Sequence, residues 1–145
     1  MIIRREIDVQ APLDVVWRVF SRMEDWREWN PVCRNCCYLE GSEMALDTCF
    51  AFDVAPLFVP LRVTPRITRC EPGREVIWEG GRFGVNAEHI FRFDEREGRV
   101  RILSVERFKG PLLPVGRLLG IPRRLHRLAE AFLLAIKQQA EACVK

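Results

Sequence analysis

The chain has 145 residues, 48% of them hydrophobic and 30% charged, with a formal net charge of +3. A domain of this size buries roughly 68–70% of its unfolded surface, and the composition lies far from the low-hydrophobicity, high-charge range of disordered chains. One folded domain over residues 1–145 is expected, since no repeat, linker or low-complexity segment divides it.

The opening Met1-Ile-Ile-Arg-Arg-Glu-Ile-Asp mixes charge with apolar side chains, so it has no apolar core of a secretory signal. The longest nearly uncharged stretch, Gly110 to Ile121, is broken by Pro114, Gly116, Arg117 and Gly120 and falls short of the roughly 20 residues that span a bilayer. A cytoplasmic protein is expected. In that reducing compartment the six cysteines are expected as free thiols.

Residues Ile2 to Gln10 alternate in the period of a half-buried strand, with Ile3, Arg5, Ile7 and Val9 against Arg4, Glu6 and Asp8. A helix follows. Pro12 suits its first turn, Asp14 suits its positive end, and Val16, Val19 and Phe20 recur at helical spacing. A second short helix is expected from Glu24 to Trp29, stopped by Asn30-Pro31.

From Cys33 to Lys109 the pattern changes to six strand-like runs: Cys33 to Glu40, Leu46 to Val54, Phe58 to Glu71, Glu75 to Gly80, Ala87 to Asp94 and Arg99 to Lys109. Their separators are turn residues, among them Gly41-Ser42, Pro72-Gly73, Gly80-Gly81 and Glu97-Gly98, so an antiparallel meander is expected. Gly80-Gly81-Arg-Phe-Gly84 reads as a flexible turn at a cavity mouth. Leu112 to Leu119 reads as a short helical lid. Pro122 to Ala142 then carries Leu125, Leu128, Ala129, Phe132, Leu133, Ile136 and Ala140 as the apolar stripe of a long helix. A sheet of about seven strands with one long helix to cover it must curl to hide its apolar face, which predicts an α+β fold in which the sheet wraps that helix.

Strand parity nominates the concave face. It selects Leu46, Thr48, Phe50, Phe52 and Val54, then Val59, Leu61, Val63 and Ile67, then Val76 and Trp78, then His89, Phe91 and Phe93, and finally Val100, Ile102, Ser104, Glu106 and Phe108. With Phe132 from the helix, the expected ligand wall is Phe50, Phe52, Val63, Trp78, Phe91, Phe108 and Phe132, and its polar points are His89, Ser104 and Glu106. A carboxyl among apolar neighbours has a raised pKa, and imidazole titrates near neutrality, so Glu106 and His89 are the candidate proton-transfer groups. The alternatives are that each is a satisfied structural residue or a hydrogen-bond anchor for a ligand.

Cys33, Cys36 and Cys37 include one C-x-x-C spacing, but no second pair follows, and neither His89 nor His126 stands at zinc-finger spacing. In a regular strand Cys33 and Cys37 face one side and Cys36 the other. No metal site is expected. No nucleophile elbow or glycine-rich phosphate loop is present, so no cofactor is expected either.

Charge is uneven: Arg107, Lys109, Arg117, Arg123, Arg124 and Arg127 fall in a segment without an acidic residue, at +6, leaving −3 for the rest. Arg123, Arg124 and Arg127 crowd the start of the final helix, where the macrodipole disfavours positive charge, and are candidates to meet an anion, a membrane surface or a protein partner. Modest net charge and the lack of interleaved exposed aromatics argue against nucleic acid.

The run Ile7 to Val32, with Ala11-Pro12, Val16-Trp17 and Trp29-Asn30-Pro31, together with Glu106-Arg-Phe108-Lys-Gly110, resembles the polyketide cyclase/dehydrase branch of the START and Bet v 1-like (SRPBCC) superfamily. The resemblance covers nearly the whole chain. It implies the helix-grip fold, a cavity between sheet and C-terminal helix, and either binding of a small hydrophobic molecule such as a lipid, polyketide or isoprenoid, or cyclisation and dehydration chemistry with Glu106 and His89 transferring protons. A monomer or a homodimer is expected.

Overall fold

The first strand, β1 (Ile2–Val9), meets the last, β8 (Arg99–Lys109), because both are long enough to run side by side in unbroken antiparallel register, from Ile2 opposite Arg107 to Val9 opposite Val100. This is a computed structural model, and it describes residues 1–56, 59–82 and 84–145. Between those strands lie helices α1 (Leu13–Ser21) and α2 (Trp26–Trp29), separated by a 3-10 turn at Met23–Asp25. Strands β2 (Arg34–Glu40), β3 (Cys49–Val54), β4 (Leu61–Val63), β5 (Arg66–Glu71), β6 (Glu75–Arg82) and β7 (Val85–Arg96) follow. After β8 come α3 (Leu113–Leu118) and the long α4 (Ile121–Ala142). The sheet order is β1-β8-β7-β6-β5-β3-β2, with β4 paired to β3, and its described pairs are antiparallel. This is the expected α+β helix-grip, with eight strands rather than about seven.

Local chemistry accounts for the differences from the expected boundaries. The run Phe58 to Glu71 is two strands: Pro65 lacks an N–H for the ladder, so the chain breaks between β4 and β5, and Phe50 N–H donates to the Pro65 carbonyl at 3.1 Å. The nominated first residue of that run, Phe58, lies outside the described residues, as does Phe83. The run from Leu46 begins as a strand only at Cys49, because Asp47 adopts a left-handed φ of 69°. Leu46 and Val59, both nominated for the concave face, are instead 61% and 68% exposed. Gly80 and Gly81 are not a loose turn. They pair with Ala87 and Asn86 inside the β6–β7 hairpin, where a Cβ on Gly80 would press within 3.3 Å of the Pro65 backbone.

A further correction falls on β2. Asn35 has a φ of 53°, and the register slips between Arg34 and Cys37, so one extra residue bulges. The bulge shifts side-chain parity, and Cys33 and Cys36 are both buried while Cys37 is exposed. The regular-strand expectation placed Cys33 with Cys37 and apart from Cys36.

The concave face is filled largely by rings. Phe20, Trp26, Phe50 and Phe91 are fully buried, and complete burial of a Phe side chain contributes about 1.5–3 kcal/mol. Phe132 of α4 packs on Trp26 at 5.4 Å and on Phe91 at 5.5 Å between ring centroids, which joins helix to sheet. The Trp26 Nε1–H donates to the Phe20 carbonyl at 3.0 Å, so its polar edge is satisfied within the core. Along β1, α4 is tied by Arg5 to Glu130 at 2.6 Å, and by Lys137 Nζ donating to the Asp8 carbonyl at 2.7 Å. The backbone N–H of Gln10 also donates to Glu141 Oε2 at 3.1 Å. The Arg5–Glu130 pair is exposed, so it aligns the helix more than it stabilises it.

Candidate functional site

The β7–β8 ladder runs without a register shift from Asn86 opposite Lys109 to Arg96 opposite Arg99, so strand parity survives over its whole length. That regularity brings the polar candidates together. His89 stands opposite Glu106, and Phe91 opposite Ser104. Their neighbours of the same parity, Phe93, Ile102 and Phe108, are buried, so the polar trio sits among apolar walls.

His89 Nε2 lies 2.7 Å from Ser104 Oγ, a formed hydrogen bond. Its Nδ1 lies 3.9 Å from Glu106 Oε1, beyond hydrogen-bond length. With the proton on Nδ1, Ser104 donates to Nε2 and the Nδ1–H faces the carboxyl across that gap. The imidazole stacks on Phe91 with centroids 4.0 Å apart and meets Trp78 edge-on at 5.3 Å, so its plane is fixed on two sides. Side-chain exposures of 15% for His89 and 18% for Glu106 show that both still reach accessible space.

Electrostatics follow from this setting. Burial disfavours the charged form of each group, pushing Glu106 up to about 7 and His89 down to about 3. Near neutral pH the imidazole is therefore uncharged and the carboxyl is poised between its two forms. Such a pair can donate or accept a proton, or hydrogen-bond a ligand carbonyl or hydroxyl, without placing a net buried ion pair in the core.

Of the other nominated wall residues, Phe50 and Phe91 are wholly buried in ring contacts, and Phe52, Trp78 and Phe108 are buried with a little exposure. Val63 is half-buried on β4 opposite Phe52. Phe132 closes the stack from α4, while Phe108 joins Ile3 and Ala129 in a smaller cluster beside Leu113 and Leu125. Arg123 and Arg127 are exposed at the start of α4, and Arg124 is half-buried.

Two interior residues escaped the parity argument. Cys33 is buried just ahead of β2, within electrostatic reach of Cys36 and Glu106. Burial pushes Cys33 far above the ordinary thiol range and Cys36 up to about 12, so both are protonated and unreactive. Asn30 explains how the chain turns into β2: its Oδ1 accepts from the N–H groups of Val32 at 2.9 Å and Cys33 at 3.0 Å, an Asx turn that Asn30-Pro31 foreshadows. The bulge had no comparable signal, since Asn35 is one asparagine in a polar run.

Two surface clefts lie apart from these groups. One, of about 410 Å³, runs between α1 and the β2–β3 connection past Trp17, Tyr38 and Cys70, and the other, of about 210 Å³, is bordered by Asp8, Asp94, Arg96 and Arg101. Their charged groups are largely spent on one another, as in Arg101 with Asp8 at 2.9 Å. Among the described residues, no group of three or more His, Cys, Asp or Glu side chains could hold a metal ion.

Comparison with known proteins supports the architecture. The chain superposes on the aromatase/cyclase ZhuI of Streptomyces sp. R1128 with a TM-score of 0.83 at 17% identity, covering 100% of this chain and 96% of that one. A Thermus thermophilus protein, TTHA0849, gives 0.83 at 11% identity with 100% of both chains covered. A START superfamily protein of Mycobacterium smegmatis gives 0.70 at 16% identity, covering 94% of this chain and 97% of that one. At such identities these likenesses establish the fold alone. No curated protein matches the sequence. The family model described as polyketide cyclase / dehydrase and lipid transport matches residues 2–141, nearly the whole chain, and the chain belongs to that family.

Proposed function

We propose that this protein binds a small, largely apolar molecule between the concave face of its sheet and α4, gripping a polar group of that molecule with Glu106 and His89. The observation that carries the reading is the cross-strand pair itself: two accessible, titratable side chains set into an aromatic wall, with Ser104 fixing the imidazole. Few correctly placed polar groups in an apolar lining are what orient a small-molecule ligand. The bound molecule is of the lipid, polyketide or isoprenoid kind, with a carbonyl or hydroxyl that the neutral imidazole and the carboxyl recognise. The family description, which includes lipid transport, is consistent with it.

The test is mass spectrometry of organic extracts from gently purified protein, together with titration of a polarity-sensitive hydrophobic dye. A stoichiometric apolar molecule, displaced by the dye and held less tightly by Glu106→Gln, is the expected result. Absence of both extractable ligand and dye binding would remove the reading.

A second reading is favoured by the position of the Glu106 pKa near 7, which suits a general acid or base. In it the same groups transfer protons in the cyclisation or dehydration of a polyketide-like substrate, which the aromatic wall folds. The aromatase/cyclase among the similar structures is in keeping with this use. Turnover of a linear poly-β-ketone by the wild type, lost in both Glu106→Gln and His89→Asn while ligand binding persists, would separate catalysis from carriage.

A further inference from the structure

Apolar side chains that face solvent are concentrated in one place. Of the ten large hydrophobic residues exposed among the described residues, Leu112, Val115, Leu118 and Leu119 fall within eight positions, with Leu118 89% and Leu119 56% exposed. They surround α3, which is too short to hide them on one face. Leu113 alone turns inward, onto the cluster of Ile3, Phe108 and Ala129. The segment lies across the end of the β6–β7 hairpin, where Leu112 and Pro111 approach Gly84. It therefore sits at the end of the sheet to which the ladder leads beyond His89 and Glu106.

The segment that forms this tip carries charge of a single sign. Lys109, Arg117, Arg123 and Arg127 are exposed, and among the described residues none of the four has an ion-pair partner. No acidic residue occurs from Arg107 to Ala129. Arg123 adds positive charge to the already positive start of α4, which no side chain caps. Exposed leucines in the same short segment as unpaired cations match a bilayer with anionic headgroups, into which leucines insert while arginines remain at phosphate level. A protein partner would need a pocket for the leucines as well as acidic charge, whereas a bilayer accepts them in any arrangement.

We infer that α3 and the first turn of α4 form a docking tip for an anionic phospholipid surface. The tip does not span: no helix among the described residues is long and apolar enough to cross a membrane. Docking places the end of the sheet beyond His89 and Glu106, closed by Leu113 over Ile3, Phe108 and Ala129, against the lipid. The inference stands independently of what the grip holds, because the ligand measurements above are made without membranes.

Co-sedimentation of the full chain with vesicles of phosphatidylcholine alone, and of phosphatidylcholine mixed with phosphatidylserine, tests it. The wild type is expected to sediment with the mixed vesicles only, and less so as salt is raised. Each basic residue near an anionic surface is worth about fivefold in partitioning, so Arg117→Gln with Arg123→Gln should lower binding about thirtyfold. Leu118→Ser with Leu119→Ser should also weaken it, while Arg96→Gln with Arg99→Gln, far from the tip in the fold, should not. All of these positions are exposed, so unchanged thermal unfolding verifies folding. Equal sedimentation with both vesicle types, equal losses in the tip and control arginine variants, or binding indifferent to the leucine changes would each overturn the inference. The last result, combined with tight binding to polyglutamate, would assign the tip to an acidic protein.

Discussion

Replacing Glu106 by glutamine keeps the shape of the side chain and removes its ability to ionise. In the folded protein burial raises this carboxyl from the ordinary 4.5 to about 7. Below the lower value both folded and unfolded states hold the proton and the group costs nothing. As pH rises the unfolded state ionises first, so stability is lost progressively until the folded pKa is passed. At about 1.4 kcal/mol for each pH unit, the full loss is about 3 kcal/mol. Glu106→Gln escapes it. Chemical denaturation of both proteins at about pH 4 and about pH 8.5 should show the variant gaining up to about 3 kcal/mol on the wild type between the two conditions. Other titrating groups are common to both proteins and cancel in the difference. A difference that does not change with pH would refute the burial argument. One of opposite sign would mean that His89 is protonated and holds Glu106 ionised as a salt bridge across the 3.9 Å gap.

The partner residue carries the opposite pH dependence. His89 is lowered from 6.5 to about 3, so its contribution is complete above the unfolded value and is lost as pH falls through the window below it, and His89→Asn should flatten the acid limb of the stability profile. Between the two unfolded values the effects of His89 and Glu106 oppose each other in the wild type, and either single variant should expose the other's slope. Alkylation near pH 8 should label the exposed Cys37 and Cys143 in the native protein and spare Cys33 and Cys36 until it unfolds; native labelling of Cys33, read by peptide mass, would contradict the bulge on β2. Among the glycines, Gly110→Ala should destabilise by more than about 3 kcal/mol, because its φ is 142° and a Cβ would collide with the Gly84 carbonyl oxygen. Gly98→Ala should cost only about 1 kcal/mol, from its left-handed φ of 75° with nothing near the added methyl, and equal thermal shifts for the two would undo the distinction.

Where alternation alone determines side-chain direction, the sequence was a reliable guide. His89, Ser104 and Glu106 were legible as one constellation because β7 and β8 pair without interruption, so counting by twos works from one end to the other. The same counting failed wherever a backbone left the β region. Asn35 at φ 53° reversed the cysteines, and Asp47 at φ 69° ended strand geometry before Leu46 could turn inward. Asparagine and aspartate tolerate such conformations but do not announce them, because the choice depends on register with a strand that is distant in sequence. The long helix was legible from its stripe, yet the stripe does not say that Phe132 closes the aromatic stack, which requires Trp26 and Phe91 to arrive from two other elements. Glu106 illustrates the limit of composition for chemistry: parity put it inside, but its distance from His89 depends on the pairing of the two strands.

The adjacency of β1 and β8 also sets the order in which the protein can be made. Ile2 waits for Arg107, Gln10 for Glu141 and Arg5 for Glu130, so the first strand has no partner until most of the chain has left the ribosome. Contacts so far apart in sequence are slow to form, since the intervening chain must be closed into a loop before they reward it. The meander from β5 to β8 can zip by short hairpins in the meantime. The helix α4, last in the chain, thus closes over a sheet whose central hairpins already stand.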